Sequence, residues 1–289
     1  MLGHLAGARR DFEEGLALYD PKRDRAKGAR YGFDTCAACH AMLGQVVWDQ
    51  GFPDQALRHA EEAIAAARGA SHPLSEAWAL MTAAYVRRLC GEVALCLKQA
   101  EALLDLATEQ VLPYYAACAR VLGGWALVKD GQAEEGLARL RAGLDACPAV
   151  AARQWRIHFL AVLAEATLQA GLTEEGLSAV HEVLAEVEKT ESGCYEAELY
   201  RLEGELRLSS EQPDEKRAEA SFCEAIEIAR AQQAKSWELG GAASLARLLA
   251  HQGKSEEARA LLTPIYGWFT EGFGTRVLQE AKALFDELA

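Results

Sequence analysis

The residues Cys36-Ala37-Ala38-Cys39-His40 have the pattern that attaches c-type haem. That chemistry would join both sulfurs to the haem vinyl groups and use His40 as an axial ligand. Such attachment takes place outside the cytosol, and Met1–Arg10 show no basic-then-apolar leader. No second axial ligand is marked. Cysteines three apart on a helix point the same way, so Cys36, Cys39 and His40 would equally suit a metal or redox site. A structural zinc site wants four ligands, however, and no second cluster is evident. The reading these residues favour is one face of a repeat helix, with no metal and no cofactor. Gly253-Lys254-Ser255 ends like a phosphate-binding loop. That motif needs another glycine five residues earlier, where Leu248 stands, and a strand before it. The expected role is a turn, with Ser255 capping the next helix and Glu256-Glu257 in its first turn, where acid suits the helix dipole.

Other groupings are weaker. Lys22, Arg23, Arg25, Lys27 and Arg30 form a basic cluster, but Asp20 and Asp24 are interleaved, unlike a nucleic-acid arm. Residues 171–230 hold 16 acids and 6 bases, the mark of a solvated outer face or of docking to a basic partner. Tyr266, Trp268, Phe269 and Phe273 are expected to seat the final helix. The histidines are scattered along the chain. No acid–base pair or nucleophile constellation emerges, so no catalytic residue and no enzymatic activity are expected.

Elements must position any such residues, and composition bounds them. The chain has 289 residues, 51% hydrophobic, enough to bury a large core. Its formal charge of −13 disfavours nucleic acid and anionic membranes as partners. No apolar run reaches membrane-spanning length. The eight cysteines are too sparse for a disulfide scaffold, and with no leader they are expected to be reduced, mostly buried thiols in the cytoplasm.

One motif recurs: a turn residue, a small residue five positions on, then apolar positions at nine, twelve and thirteen. It reads Gly51, Ala56, Ala60, Ala63, Ile64, and again Gly131, Gly136, Leu140, Gly143, Leu144. The turn positions are 3, 51, 91, 131, 171, 213 and 253, spaced by 48, 40, 40, 40, 42 and 40. Position 213 is proline. The apolar offsets fit one face of a helix. Turn glycines supply the backbone freedom that ends one helix before the next, and the small residue lets two helices approach closely. Each turn follows another amphipathic stretch, such as Leu74 to Leu89, and breakers such as His72-Pro73, Leu112-Pro113, Cys147-Pro148 and Ser192-Gly193 separate the pairs. A lone hairpin cannot bury its apolar face, whereas stacked hairpins bury one another. The expected fold is an all-α, right-handed α-solenoid of about seven helical hairpins. Its units are a half-repeat at 1–20, repeats 29–68, 72–109, 111–146, 149–190, 193–232 and 234–271, and a closing helix at 275–288. Two short solenoids divided near Ser209–Pro213 are the alternative.

The repeats resemble tetratricopeptide repeats. Leu43-Gly44 precedes Gly51 at that family's spacing, and Ala218, Phe222 and Ala225 match its second helix. The period of about 40 exceeds the usual 34 or so. The resemblance implies a protein-binding groove lined by the first helix of each hairpin. Carried over by position, the groove takes in Gln45, Asp49, Trp78, Tyr85, Arg88, Trp125, Lys129, His158, Glu165, Arg201, Glu205, Arg247 and His251.

A more specific resemblance lies in Tyr195–Leu206 (YEAELYRLEGEL), Ala234–Leu239 (AKSWEL), Ser244–Leu248 (SLARL), Tyr266–Phe273 (YGWFTEGF) and Leu18–Pro21 (LYDP). These resemble the C-terminal repeat region of bacterial class III adenylate/guanylate cyclase-like proteins. In that family a cyclase domain and a P-loop ATPase module precede the repeats. The resemblance implies an interaction or regulatory tail, without catalysis, since neither module is present in these residues. The alternative is a sensor tail that controls an attached cyclase or ATPase through a bound effector. Gly240-Gly241 departs from the expected helix formers, and close helix packing or a kink is the expected reason. Gly3 is a mid-hairpin turn, so the first unit would lack its first helix. The face of Leu5, Phe12 and Leu16 is then expected to meet preceding domains or a second copy of the chain, making a homo-oligomer.

Overall fold

The computed structural model describes residues 4–25, 32–147, 153–190 and 193–288. Among them there is no strand. The chain is an all-α helical-repeat protein, built as an α-solenoid of stacked helical hairpins. It divides into two compact units: Ala6–Trp48 with Phe52–Ala152, and Met1–Leu5 with Asp49–Gly51 and Arg153–Ala289. The helices of the first part of the chain are α1 (Leu5–Ala17), α2 (Thr35–Asp49), α3 (Pro53–Ala70), α4 (Pro73–Leu89), α5 (Val93–Glu109), α6 (Pro113–Lys129) and α7 (Ala133–Ala146). Those of the second are α8 (Arg153–Gln169), α9 (Thr173–Thr190), α10 (Glu196–Leu208), α11 (Glu215–Ala231), α12 (Lys235–His251), α13 (Ser255–Tyr266) and α14 (Arg276–Glu287). The turn at Gly3, residues Lys27 and Arg30 of the basic cluster, and the links at Pro148 and Ser192 lie outside the described residues.

The same backbone device closes five of the first helices. Gly51, Gly91, Gly131, Gly171 and Gly253 have φ of 94°, 75°, 89°, 74° and 77°. In every case the next residue's N–H donates to the carbonyl five positions back, as Gln132 does to Leu127 and Lys254 to Leu249, both at 2.9 Å. This bond satisfies a helix-end carbonyl that would otherwise lack a donor. The left-handed turn residue it needs carries no steric cost only when it is glycine. Between hairpins the chain makes the same closure without glycine. Val111 (φ 54°) and Gln233 (φ 57°) take the left-handed conformation, and Leu112 and Ala234 donate five residues back. Pro73 and Pro113 then open the following helices, where a missing N–H costs nothing. The loop at Pro213 instead ends in Asp214, whose carboxylate accepts from the Arg217 N–H at 3.0 Å.

The two helices of a hairpin are buried differently. Second helices are amphipathic: α3 buries only Pro53, Ala56, Ala60, Ala63, Ile64 and Ala67. First helices are covered nearly all round, and α4 is buried without a break from Ala79 to Leu89. The reason is that first helices also pack on each other, α4 on α6 in one unit, and α8 on α10 and α10 on α12 in the other. The small-residue positions sit at the closest contacts. A Cβ on Gly136 would lie 2.6 Å from the Gly124 carbonyl oxygen, and one on Gly143 would lie 2.7 Å from that of Ala117. Gly241 is explained in the same way, since a Cβ there would meet Ile226 Cγ1 at 3.0 Å. Two of the four aromatics seat the final helix: Phe269 shares one core with Leu278, Ala281 and Leu284, and Tyr266 stacks on Phe285 at 6.1 Å, whereas Trp268 and Phe273 are exposed.

Candidate functional site

The haem-like motif lies on α2. Burial, aided by Asp34, pushes the Cys36 thiol up to about 11, and burial raises Cys39 as well. Both are therefore protonated at neutral pH, and it is the thiolate that reacts or ligates. The side chains that meet His40 are His59 and Glu62 of α3, not the two thiols. The phosphate-loop mimic is a repeat turn entered from a helix. Its capping position is Lys254, with no side-chain cap bond, and Ser255 is the first helical residue. The expectation that Ser255 caps α13 is corrected accordingly: the left-handed Gly253 uses one more residue before the helix begins. In the basic cluster Arg23 is paired with Asp24 at 2.6 Å.

The groove positions carried over from tetratricopeptide repeats fall into two groups. In the first unit Tyr85, Arg88, Trp125 and Lys129 come together. The Arg88 guanidinium lies 5.0 Å from the Tyr85 ring centroid and 5.8 Å from that of Trp125, and the Lys129 ammonium lies 5.9 Å from Trp125. Cations over aromatic faces are attracted by the ring quadrupole, more strongly when desolvated. Tyr85, Arg88 and Trp125 are buried; Lys129 is half-buried. The Trp125 indole N–H has no acceptor among the described residues, so the ring is held by its faces. Gln45 is also buried, and Trp78 is half-buried with its ring 5.7 Å from Phe33.

In the second unit α10 and α12 carry a charged array. Arg201 pairs with Glu198 at 2.6 Å and lies 3.7 Å from Glu205. Glu205 also accepts from the Ser244 hydroxyl at 2.6 Å and lies 3.6 Å from Arg247. Burial works against the Arg201 charge, but Glu198, Glu205 and Glu165 outweigh it and hold the guanidinium charged beyond the usual arginine range. Arg247 and His251 are exposed, and Arg201, Glu205 and Glu165 are half-buried. His158 belongs instead to a buried aromatic ladder: its ring is 5.1 Å from Trp155 and 4.8 Å from Tyr195, which is 5.0 Å from Trp237. Asp49 is buried, and burial raises its carboxyl to about 8.

A second ion-pair cluster supports α10 from behind. Glu203 accepts from Arg207 at 2.6 Å and from Ser221 at 3.1 Å, with His181 at 3.3 Å. Burial raises the Glu203 carboxyl, but these partners outweigh it and the net shift is downward. A carboxylate with a depressed folded pKa stabilises the fold above its unfolded value of about 4.3, and that contribution is lost as pH falls through the folded value. Glu203→Gln is expected to be about 1–2 kcal/mol less stable than the parent at neutral pH. At pH values below the Glu203 folded pKa the two chains converge. Urea melts across the acid range measure this, and parallel curves at every pH would refute it.

No protein-family model matches the chain, and no curated protein sequence matches it. Among solved structures it is similar to the apo form of RapI, a helical-repeat protein, with a TM-score of 0.58 and 13% identity. The match covers 98% of this chain and 92% of that one. At this identity the likeness is one of fold.

Proposed function

We propose that the chain is a non-catalytic protein-interaction scaffold whose open binding face is the α10–α12 array. The observation that carries this is the placement of Arg201 and Glu205 beside the exposed Arg247 on two adjacent first helices, with the exposed His251 one turn further along α12. Stacked hairpins present extended surfaces of this kind, and charges on them set partner choice and on-rate. Tyr85, Arg88 and Trp125 are buried in this fold, and we assign them to support the half-buried Lys129 and Trp78. The segments resembling cyclase-associated repeats support placing the scaffold in a bacterial signalling protein in the cytoplasm. The alternative of a sensor tail rests on the same resemblance and differs in needing an effector.

The test is affinity capture with the whole chain and with Arg247→Glu/His251→Glu. Both side chains are exposed, so the variant should fold as the parent does, which matched helical circular dichroism checks. The expected result is a partner retained by the parent and lost at least tenfold with the variant, with affinity falling as salt rises. Equal retention by both chains would reject this face. The absence of any saturable partner would reject the scaffold reading.

A further inference from the structure

Helices α2 and α3 face each other across residues 50–52, and one polar cluster lies between them. His40 Nδ1 on α2 is 2.9 Å from His59 Nδ1 on α3. Glu62 Oε2, one turn beyond His59, is 3.1 Å from the first nitrogen and 3.2 Å from the second. Three heteroatoms thus form a nearly equilateral triangle, every side at hydrogen-bond length.

Protons cannot satisfy this triangle. Each edge needs one donor and one acceptor, and three atoms cannot alternate around a closed ring of three. If both imidazoles carry the proton on Nδ1, two N–H groups oppose each other. If one does, the other nitrogen sets its lone pair against the carboxylate. If neither does, all three edges are lone pair against lone pair. With Glu62 ionised, one edge is therefore repulsive whatever the imidazole tautomers. A single cation at the centre turns all three lone pairs inward at once.

The dimensions suit a particular class of ion. Tetrahedral zinc, bound at about 2.0–2.2 Å by imidazole nitrogen and carboxylate oxygen, spaces its ligand atoms by about 3.3 Å. The triangle needs to open by only a few tenths of an ångström to meet that. Two imidazoles and one carboxylate are a donor set for zinc-like ions, and three protein ligands leave a fourth position for water. The two histidine side chains are 17% and 15% exposed and that of Glu62 is 44% exposed, which gives the ion a route in from the Glu62 side. Two arginines, Arg58 and Arg9, act electrostatically on His59, and Arg9 is already paired with Glu13 at 2.8 Å.

We propose that His40, His59 and Glu62 form a binding site for one divalent transition-metal ion of the zinc class, tying α2 to α3. The site is distinct from the α10–α12 face and does not depend on it.

The experiment uses the whole chain, stripped with a chelator and titrated with Co²⁺ and then Zn²⁺. The expected result is one Co²⁺ per chain with the intense visible absorption of a four-coordinate ion, displaced by Zn²⁺, and a higher melting temperature with zinc. No near-ultraviolet thiolate charge-transfer band should appear. His59→Gln and Glu62→Gln should melt like the metal-free parent and lose affinity about tenfold or more. Cys36→Ser should bind as the parent does. Failure to bind one ion saturably overturns the proposal. So does affinity that survives His59→Gln and Glu62→Gln, or a thiolate band abolished by Cys36→Ser, which would move the ion to the cysteines.

Discussion

Replacing Gly136 with alanine should destabilise the protein by about 2–3 kcal/mol, the upper part of the range for overpacking. Replacing Gly7 with alanine should instead stabilise it by up to about 1 kcal/mol. Both glycines are inside helices, α7 and α1. Alanine improves helix propensity at each, so propensity alone predicts the same sign. The surroundings decide otherwise. Nothing lies within 4 Å of a Cβ built on Gly7. A Cβ on Gly136 would lie 2.6 Å from the Gly124 carbonyl oxygen and 2.7 Å from the Val128 backbone nitrogen. Backbone on the facing helix cannot swing aside as a side chain can, so α6 and α7 must move apart and lose packing along the whole contact. Gly124 answers from the other helix, with a Cβ at 2.6 Å from the Gly136 oxygen. Because Trp125 follows Gly124, the shift would also disturb the stack of Arg88 and Lys129 on that ring. Denaturant melts of the two single variants test this. Equal shifts of the same sign would show that propensity outweighs the close approach.

That contact explains why so much of the fold could be read from the residues. A left-handed turn favours glycine and a backbone-to-backbone approach demands it, so Gly131, Gly136 and Gly143 write the hairpin directly into the sequence. Val111 and Gln233 make the same turn with ordinary side chains and leave no such mark. Groove positions are harder to read. Tyr85 and Arg88 occupy first-helix positions of the kind that line a groove, but α4 is covered by its neighbours, and cover depends on stacking that one repeat does not encode. The His40 cluster was masked by its own neighbourhood. Cys36 and Cys39 offer partners at short spacing on the same helix, while the side chains that meet His40 are 19 and 22 residues away and come from the returning helix.

The seat of the proposed binding face should show in a size-exchange experiment on α10 and α11. Phe222 is fully buried, and a Cβ on Gly204 would lie 2.3 Å from its ring. Phe222→Ala is expected to cost about 3–5 kcal/mol, the transfer loss of a buried ring plus the cavity it leaves. Gly204→Ala is expected to cost about 1–3 kcal/mol, because a ring closed in on all sides cannot retreat from the new methyl. The informative variant is Gly204→Ala with Phe222→Leu. Leucine is shorter and not planar, so it vacates the volume that the methyl needs. The double variant should therefore be more stable than the summed losses of Gly204→Ala and Phe222→Leu measured singly predict, by about 1 kcal/mol, within the range for residues in contact. Additive losses would mean that Gly204 and Phe222 do not share this space. The same contact sets the height of α10 above α11, and Arg201 and Glu205 lie within one turn of Gly204. Gly204→Ala should then weaken partner capture more than its stability loss alone requires, and Phe222→Leu in the same chain should restore part of it.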